Sequence, residues 1–179
     1  MRVPIPAWIL AGLTAGVALG LPAGASTMTE ESMELPELVA HAERICEVQV
    51  LEATPAMLPD GSIETRYSFA TVTPIKGSMA AIQEVVIPGG VVAGRGLILP
   101  GMPDLKVGDR SILFLSQASD DKQWRVPVGL EAGTFQVQPG SIAGRATVSR
   151  RHHGEHGEME VQDYDSFLTA IFAEVDRQG

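Results

Sequence analysis

The sequence is poor in cysteine, in aromatic residues and in positive charge. Cys46 is the only cysteine of the 179 residues, so the chain forms no internal disulfide and must be stable through its core. Lysine and arginine number 13 against 22 aspartates and glutamates, which gives a formal net charge of -9. This balance excludes a basic surface for DNA or RNA, so no nucleic-acid partner is expected. With 45% hydrophobic and 20% charged residues, the composition is that of a globular protein.

Charge is also missing from the run Val3 to Leu21, which is apolar or small throughout. Arg2 precedes this run, and the small residues Ala23-Gly24-Ala25 follow it. A positive start, an apolar run and a small-residue exit predict a signal peptide over residues 1–25 and a mature chain that starts at Ser26. The alternative is a membrane anchor, but no basic stop-transfer cluster follows the run. We therefore expect an exported protein, periplasmic or secreted, without membrane insertion after cleavage.

The remaining chain reads as a flexible segment, a β domain, a polar loop and a helix. We expect the flexible N-terminal segment over residues 26–33 and the β domain with a leading helix over 34–149. A His-rich polar loop over 150–162 and a C-terminal helix over 163–179 follow. Asp163 or Asp165 can cap that helix. Its apolar stripe predicts packing on the β domain and consists of Phe167, Leu168, Ile171, Phe172 and Val175.

Short strands with turn signals between them dominate the β domain. Alternation predicts strands over 45–52, 64–75, 84–87, 111–116, 124–128, 134–137 and 145–149. The strand over 111–116 is apolar on both faces and should be central, whereas Cys46 should lie on the buried face of the first strand. No strand-helix alternation occurs, so the pattern predicts a small antiparallel barrel or sandwich. The Gly- and Pro-rich residues 88–103 would surround the mouth of such a barrel.

Several short motifs over residues 35–140 resemble a group of uncharacterised secreted bacterial proteins. In that group a strand closing on Lys-Gly precedes a Pro-Gly-Gly loop, a Gly-Asp/Glu-x-x-x-x-Phe-Leu strand and a Gly-Leu-x-x-Gly-x-Phe-x-Val strand. The matching positions here are Ala42, Ile45 and Val50, Lys76-Gly77, Pro88-Gly89-Gly90, Gly108-Asp109 with Phe114-Leu115, and Gly129-Leu130 with Gly133, Phe135 and Val137. The resemblance rests on the ensemble rather than on any single motif.

The same layout is similar to the OB-type barrel of netrin-like domains and tissue inhibitors of metalloproteinases. This resemblance implies a mainly β fold, a small antiparallel OB-like β-barrel with a short N-terminal helix and a C-terminal amphipathic helix. Those inhibitors chelate the zinc of their target through a mature N-terminal cysteine. Ser26 takes that place here and the disulfides are missing. The resemblance therefore carries the fold but not the inhibitory mechanism.

One cluster has the residue types of a metal site. His152, His153 and His156 lie within five residues of one another, with Glu155 between them and Glu158 beside them. Neutral imidazole is a good ligand for Zn, Cu or Ni, so these histidines could bind one ion. The alternative is a solvated polar loop, which the adjacent Arg150 and Arg151 favour because their charge repels a cation.

Catalytic motifs are missing. The chain has no HExxH and no Gly-x-Ser-x-Gly, and no carboxylate pair stands out, so we expect neither an enzyme nor a cofactor. His41 is interpreted as a surface residue of the first helix. The favoured function is a non-catalytic binding module whose partner is an envelope or extracellular protein, peptide or glycan. The alternatives are an envelope metal-binding protein that uses the His loop, and a hydrolase with a dispersed site.

The signal-peptide prediction can be checked on the exported protein. Mass spectrometry of the form recovered outside the cytoplasm should show a chain that begins at Ser26, because signal peptidases cut after a small-x-small sequence. Recovery of intact Met1 to Ala25 on a membrane-bound form would contradict this prediction.

Overall fold

A computed structural model describes residues 33–142, 145–151 and 159–179. A short helix precedes an antiparallel sheet, and a longer helix follows it. The helices are α1 (Leu35–His41) and α2 (Tyr164–Gln178), and a 3-10 turn spans Leu130–Gly133. The strands are β1 (Arg44–Met57), β2 (Ile63–Lys76), β3 (Ile82–Pro88), β4 (Gly90–Val92), β5 (Arg95–Leu97), β6 (Arg110–Leu115), β7 (Thr134–Ile142), β8 (Arg145–Arg151) and β9 (Met159–Asp163). The predicted mainly β class with a helix at each end is confirmed.

The main sheet is open, so the predicted barrel is wrong. Seven strands lie in the order β3-β2-β1-β6-β7-β8-β9, and β4 and β5 form a separate hairpin. A barrel requires its first and last strands to pair, and in the described part of the chain β3 and β9 do not. The outer edge of β3 is partly occupied instead, because the Arg125 N–H donates to the Val86 carbonyl at 2.8 Å. At the opposite edge β9 leads directly into α2.

Both helices pack on one face of the sheet. Leu38 and Val39 of α1 and Phe167 and Ile171 of α2 are buried there. The sheet contributes Ile45, Ile112, Phe114, Phe135, Val137 and Val148 to this cluster. Asp163, one of the two caps that the sequence offered for α2, is the one observed, because its carboxylate accepts from the Ser166 N–H at 2.9 Å. Burial of apolar residues on this face supplies a large share of the folding free energy.

A second apolar cluster covers the opposite face, which has no helix. Chain segments between strands pack on it, bringing Met79, Met102 and Leu105 onto the sheet. The strand residues of this cluster are Cys46, Val48, Val50, Phe69, Val85, Ile87, Leu113 and Leu115. Every residue from Ser111 to Leu115 is buried, so the prediction of a central strand covered on both faces is confirmed. The buried position of Cys46 is confirmed as well.

Two strand predictions fail around proline residues. β1 runs on to Met57, through residues that the turn signals predicted to be a loop, and its distal half is largely exposed, which tolerates Pro55. The residues 124–128 alternate like a strand but form only isolated bridges at Trp124 and Pro127. Pro127 has no N–H to donate, so a regular ladder cannot continue through it.

The ends of the predicted loop over 150–162 are strands. β8 extends to Arg151, and β9 pairs with it from Met159 to Asp163. Met159 and Val161 alternate with Glu160 and Gln162, which is the strand period. Of the predicted loop, residues 150–151 and 159–162 are therefore strand, and residues 152–158 lie outside the described residues.

The stripe of α2 is only partly buried. Phe167 and Ile171 are buried, and Leu168 and Val175 pack beside them. Phe172, which the sequence placed in the same stripe, is 40% exposed. The stripe predicted from helical spacing is wider than the surface that the sheet covers.

Truncation of the two phenylalanines of α2 should therefore have unequal effects. Phe167 is 4% exposed and its ring centroid lies 4.4 Å from that of Phe135, so Phe167→Ala should lower the free energy of unfolding by about 3–5 kcal/mol. Phe172→Ala should cost about 1 kcal/mol or less. Urea unfolding of both variants measures the difference, and equal losses would show that α2 packs in another orientation.

Candidate functional site

An apolar groove opens on the helix-free face of the sheet. It encloses about 320 Å³, within the size range of ligand pockets. Strand β2 and the end of β3 form its floor, and the β4–β5 hairpin and the segment 98–104 form its walls. Its lining residues are Thr65, Tyr67, Ile87, Pro88, Gly89, Gly90, Val91, Leu97, Ile98, Leu99, Met102, Pro103 and Asp104. Val91 is 60% exposed and Ile98 84% exposed, so apolar side chains face solvent at the rim.

Because Gly89 and Gly90 have no side chain, the β4–β5 hairpin can approach β2 closely. Both residues have positive φ, +109° and +130°, which favours glycine. A Cβ at Gly90 would lie 2.4 Å from Thr65 Oγ1, so no side chain fits at that point. Thr65 Oγ1 donates to the Gly89 carbonyl at 2.8 Å and fixes the turn on the sheet. The Pro-Gly-Gly segment, which we expected at the mouth of a barrel, therefore shapes the groove of an open sheet instead.

Tyr67 is the aromatic member of the groove lining. Its ring stacks on Phe69 with centroids 5.6 Å apart. Burial raises the pKa of Tyr67, and the negative charge of Asp104 raises it further. The Tyr67 phenol therefore stays neutral. The charged group of the groove lining is the Asp104 carboxylate, and its Oδ2 lies 3.4 Å from Lys106 Nζ.

A polar cavity adjoins the groove. It encloses about 210 Å³ and shares Pro103 and Asp104 with the groove lining. Its other lining residues are Leu105, Lys106, Glu131, Thr134, Gln136, Ser149, Arg150, Arg151 and Met159. Ser149 and Gln136 lie opposite each other on β8 and β7, so the sheet supplies the cavity floor.

The two faces of β8 place consecutive residues in different environments. Arg150 points to the helix face, where its Nε lies 2.5 Å from Glu160 Oε2 and its Nη1 donates to the Met33 carbonyl at 3.0 Å. Ser149 and Arg151 belong to the opposite face. Ser149 is 5% exposed, and its hydroxyl makes no hydrogen bond in the described structure. A buried hydroxyl without a partner is unfavourable and calls for an explanation.

Glu47 is the most deeply buried carboxylate of the described residues, at 0% exposure. Its Oε1 lies 2.6 Å from Arg110 Nε, and its Oε2 accepts from the hydroxyls of Thr73 at 2.8 Å and Tyr164 at 2.9 Å. Burial raises the pKa of Tyr164, and the Glu47 carboxylate raises it further, so this hydroxyl remains a donor. The four side chains come from β1, β2, β6 and α2. Their joint role is to connect α2 to the sheet.

Among the described residues, neither Cys46 nor His41 is placed for catalysis. Burial raises the pKa of Cys46 to about 11, so the thiol remains protonated and unreactive. His41 is exposed on α1, which packs on the face opposite the cavity that contains Ser149. A Ser–His pair is therefore not formed by these residues.

The predicted metal ligands His152, His153 and His156 lie outside the described residues, as do residues 1–25. Within residues 33–142, 145–151 and 159–179, no group of three His, Cys, Asp or Glu side chains could hold a metal ion. The prediction of Zn, Cu or Ni binding at the three histidines stays a prediction.

Comparison of the chain with protein-family models, with curated proteins and with solved structures found no match. In the described part of the chain, neither helix has the length and apolar character needed to span a membrane. The resemblance to secreted bacterial proteins and to netrin-like domains stays an expectation.

Sequence reasoning pointed to the Pro-Gly-Gly segment but missed most of the site. Nothing in the sequence pattern marked Tyr67 or Ser149 as residues of a site. The pattern placed Glu47 on the face of β1 opposite Cys46 without indicating that α2 covers that face. Only the pairing of distant strands reveals these neighbours.

The Glu47 cluster generates a stability prediction. Arg110→Ala should lower the free energy of unfolding by about 3 kcal/mol, because it leaves a fully buried carboxylate without its counter-charge. Combining it with Glu47→Gln should restore part of that loss. The matched control is Arg66→Ala, since Arg66 and Glu84 are 56% and 67% exposed and their pair is worth about 1 kcal/mol or less. Equal losses for the two arginine variants in urea unfolding would contradict this role.

Proposed function

We propose that this protein is a non-catalytic binding module that holds an apolar segment of a partner polypeptide in the groove. The observation that carries the proposal is the groove itself, about 320 Å³ in volume and lined mainly by aliphatic side chains. Val91 and Ile98 extend the apolar surface out to solvent. Apolar surface at a groove rim is characteristic of interaction sites.

The chemistry of the lining favours a polypeptide over a glycan. Sugar hydroxyls must keep their hydrogen bonds when they are buried, and aliphatic walls offer few partners for them. Tyr67 is the aromatic ring of the lining, and one of its faces is already stacked on Phe69. Leucine-, valine- or isoleucine-rich segments gain from the same walls, since each buried CH₂ contributes about 0.8 kcal/mol.

The arrangement of reactive groups supports a role without catalysis. Cys46 is held as a buried thiol, and Glu47 is engaged by three side chains of the fold. Ser149 lies on the face of the sheet opposite to α1 and His41. A hydrolase needs a nucleophile and a base within hydrogen-bonding reach, and these residues do not supply that pair.

The signal peptide predicted over residues 1–25 supports a location in the periplasm or outside the cell. The partner would then be an envelope or extracellular polypeptide. Metal binding by the His-rich loop remains the alternative that the sequence alone suggests.

A neutral apolar fluorophore, N-phenyl-1-naphthylamine, tests the groove. The purified protein should bind it with enhanced fluorescence, because the groove is already formed and apolar. Val91→Asp should weaken binding about tenfold or more, since 1.4 kcal/mol is a tenfold change and a carboxylate at the rim opposes an apolar ligand.

The matched control is Ile82→Asp. Ile82 is 61% exposed against 60% for Val91, but it lies at the opposite end of β3 from the groove. The Ile82→Asp variant should bind the fluorophore as tightly as the unmodified protein does. Equal weakening by both substitutions, or absence of fluorophore binding to the unmodified protein, would overturn the groove as the binding site.

A further inference from the structure

The outer strand of the β4–β5 hairpin has an open edge beside the groove. The two strands form a small sheet of their own, and in the described part of the chain no third strand pairs with β5. Gly96 in the middle of β5 is exposed, and so is Ile98 just beyond its end. An open strand edge is a template on which the strand of another chain can add.

The turn of the hairpin determines which backbone groups of β5 point to this edge. The two turn residues, Ala93 and Gly94, both have positive φ, 49° and 78°, as a type I′ turn requires. In a hairpin with this two-residue turn, the pair that flanks the turn exchanges its hydrogen bonds, and the next pair does not. That next pair is Val91 and Gly96. The N–H and C=O of Gly96 therefore point away from β4, toward the open edge.

The groove extends along the backbone of β5. Leu97 and Ile98 follow Gly96 directly, and both line the groove although consecutive residues of an extended chain point to opposite sides. Val91, which also lines the groove, lies next to Gly96, because a Cβ at Gly96 would be 3.6 Å from Val91 Cγ2. A segment in the groove is therefore beside the backbone of β5 as well as beside apolar side chains.

We propose that the groove binds an extended segment of another polypeptide, which adds to β5 as a third strand and carries an acidic residue beside Arg95. This inference rests on the proposed function of the groove. The outward N–H and C=O of Gly96 hydrogen-bond to the backbone of the added strand, and the aliphatic walls contact its alternate side chains. In strand addition the backbone bonds supply affinity and the alternate side chains supply specificity.

The charge of the hairpin indicates the acidic residue. Arg95 is the only charged residue between Glu84 and Asp104, in a chain whose formal net charge is -9. It is exposed, and no described residue forms an ion pair or a side-chain hydrogen bond with it. Opposite charges directly across two strands attract each other. The same charges oppose a second copy as the occupant, since two molecules of equal net charge repel and would bring two Arg95 side chains to one small sheet.

Backbone methylation of a bound peptide tests the added strand. Six-residue peptides with blocked ends, random in Val, Ile, Leu, Thr, Glu and Lys, are passed over the immobilised protein, which should retain aliphatic peptides that contain Glu. Two analogues of a retained peptide then carry N-methyl groups on alternate residues, odd in one and even in the other. Alternate N–H groups of a strand point to opposite edges, so only one analogue should lose affinity, by about tenfold or more. Equal affinities of the two analogues would overturn strand addition.

Substitution of Gly96 tests the same edge from the protein side. Gly96→Pro removes the outward N–H, whereas the matched control Gly96→Ala keeps it and places its Cβ at an ordinary contact distance of 3.6 Å. Proline is tolerated on an edge strand when its missing N–H is outside the ladder. Both variants should therefore bind N-phenyl-1-naphthylamine as the unmodified protein does. Gly96→Pro should bind the retained peptide about tenfold more weakly than Gly96→Ala.

Reversal of the charge at Arg95 tests the acidic residue. Arg95→Glu should retain peptides that contain Lys in place of Glu, because the sign of the cross-strand attraction changes. The matched control is Arg145→Glu, which changes an exposed arginine at the start of β8 and should keep the selection of Glu. Selection of Glu by the Arg95→Glu variant would overturn the assignment of an acidic residue beside Arg95.

The outcomes separate this inference from the proposed function. Peptide binding that is lost in Val91→Asp but equal in Gly96→Pro and Gly96→Ala would overturn the added strand and leave the groove as a peptide site. Retention of no peptide by the unmodified protein would overturn both proposals. A dimer in analytical ultracentrifugation that Gly96→Pro converts to a monomer would identify a second copy at the edge and overturn the assignment to another polypeptide.

Discussion

The buried carboxylate of Glu47 is the constraint on which the arrangement of the sheet and the second helix depends. A charge removed from water must be matched by a counter-charge and by hydrogen bonds. Arg110, Thr73 and Tyr164 provide them from three other elements. Because Tyr164 is the first residue of α2, its hydrogen bond to Glu47 connects the start of the helix to β1.

The start of α2 then determines how the helix face is filled. With Tyr164 held at Glu47, Phe167 and Ile171 point into the cluster that α1 shares, and the ring of Phe167 meets Phe135. Phe172 lies beyond the edge of the covered area and remains partly exposed. In the described structure the helix face is therefore filled by packed apolar side chains.

The opposite face is covered by chain segments rather than by helices, and this difference creates the candidate sites. The segment around Met102 and Leu105 packs on the sheet and leaves the groove on one side and the polar cavity on the other. Binding residues placed on loops over a rigid sheet are a common arrangement. Here the sheet itself adds Tyr67 and Ser149 to the floor of the two spaces.

Some strands were predictable and others were not, for identifiable reasons. The run Ile112 to Leu115 is apolar on both faces of the strand, so its central place follows from the residues alone. The alternation of Met159 and Val161 carried the same kind of signal, but the polar run before it suggested a loop. Residues 124–128 gave a false signal, because Pro127 cannot continue a ladder. The prediction of a barrel was wrong because closure depends on whether the first and last strands of the sheet pair. No local sequence pattern encodes that pairing.

The sequence by itself determined the mainly β class, the helices at both ends, the buried thiol of Cys46 and a cap of α2 by Asp163 or Asp165. These features depend on the period of apolar residues and on neighbours within a few positions. The tertiary structure decided that the sheet is open, that Glu47 is buried and that Ser149 and Arg151 share a cavity with residues 103–106. Those features depend on contacts between residues 26 to 117 positions apart, such as Glu47 with Thr73 and with Tyr164. Contacts at that separation are set by strand order and helix placement, which the local pattern does not encode.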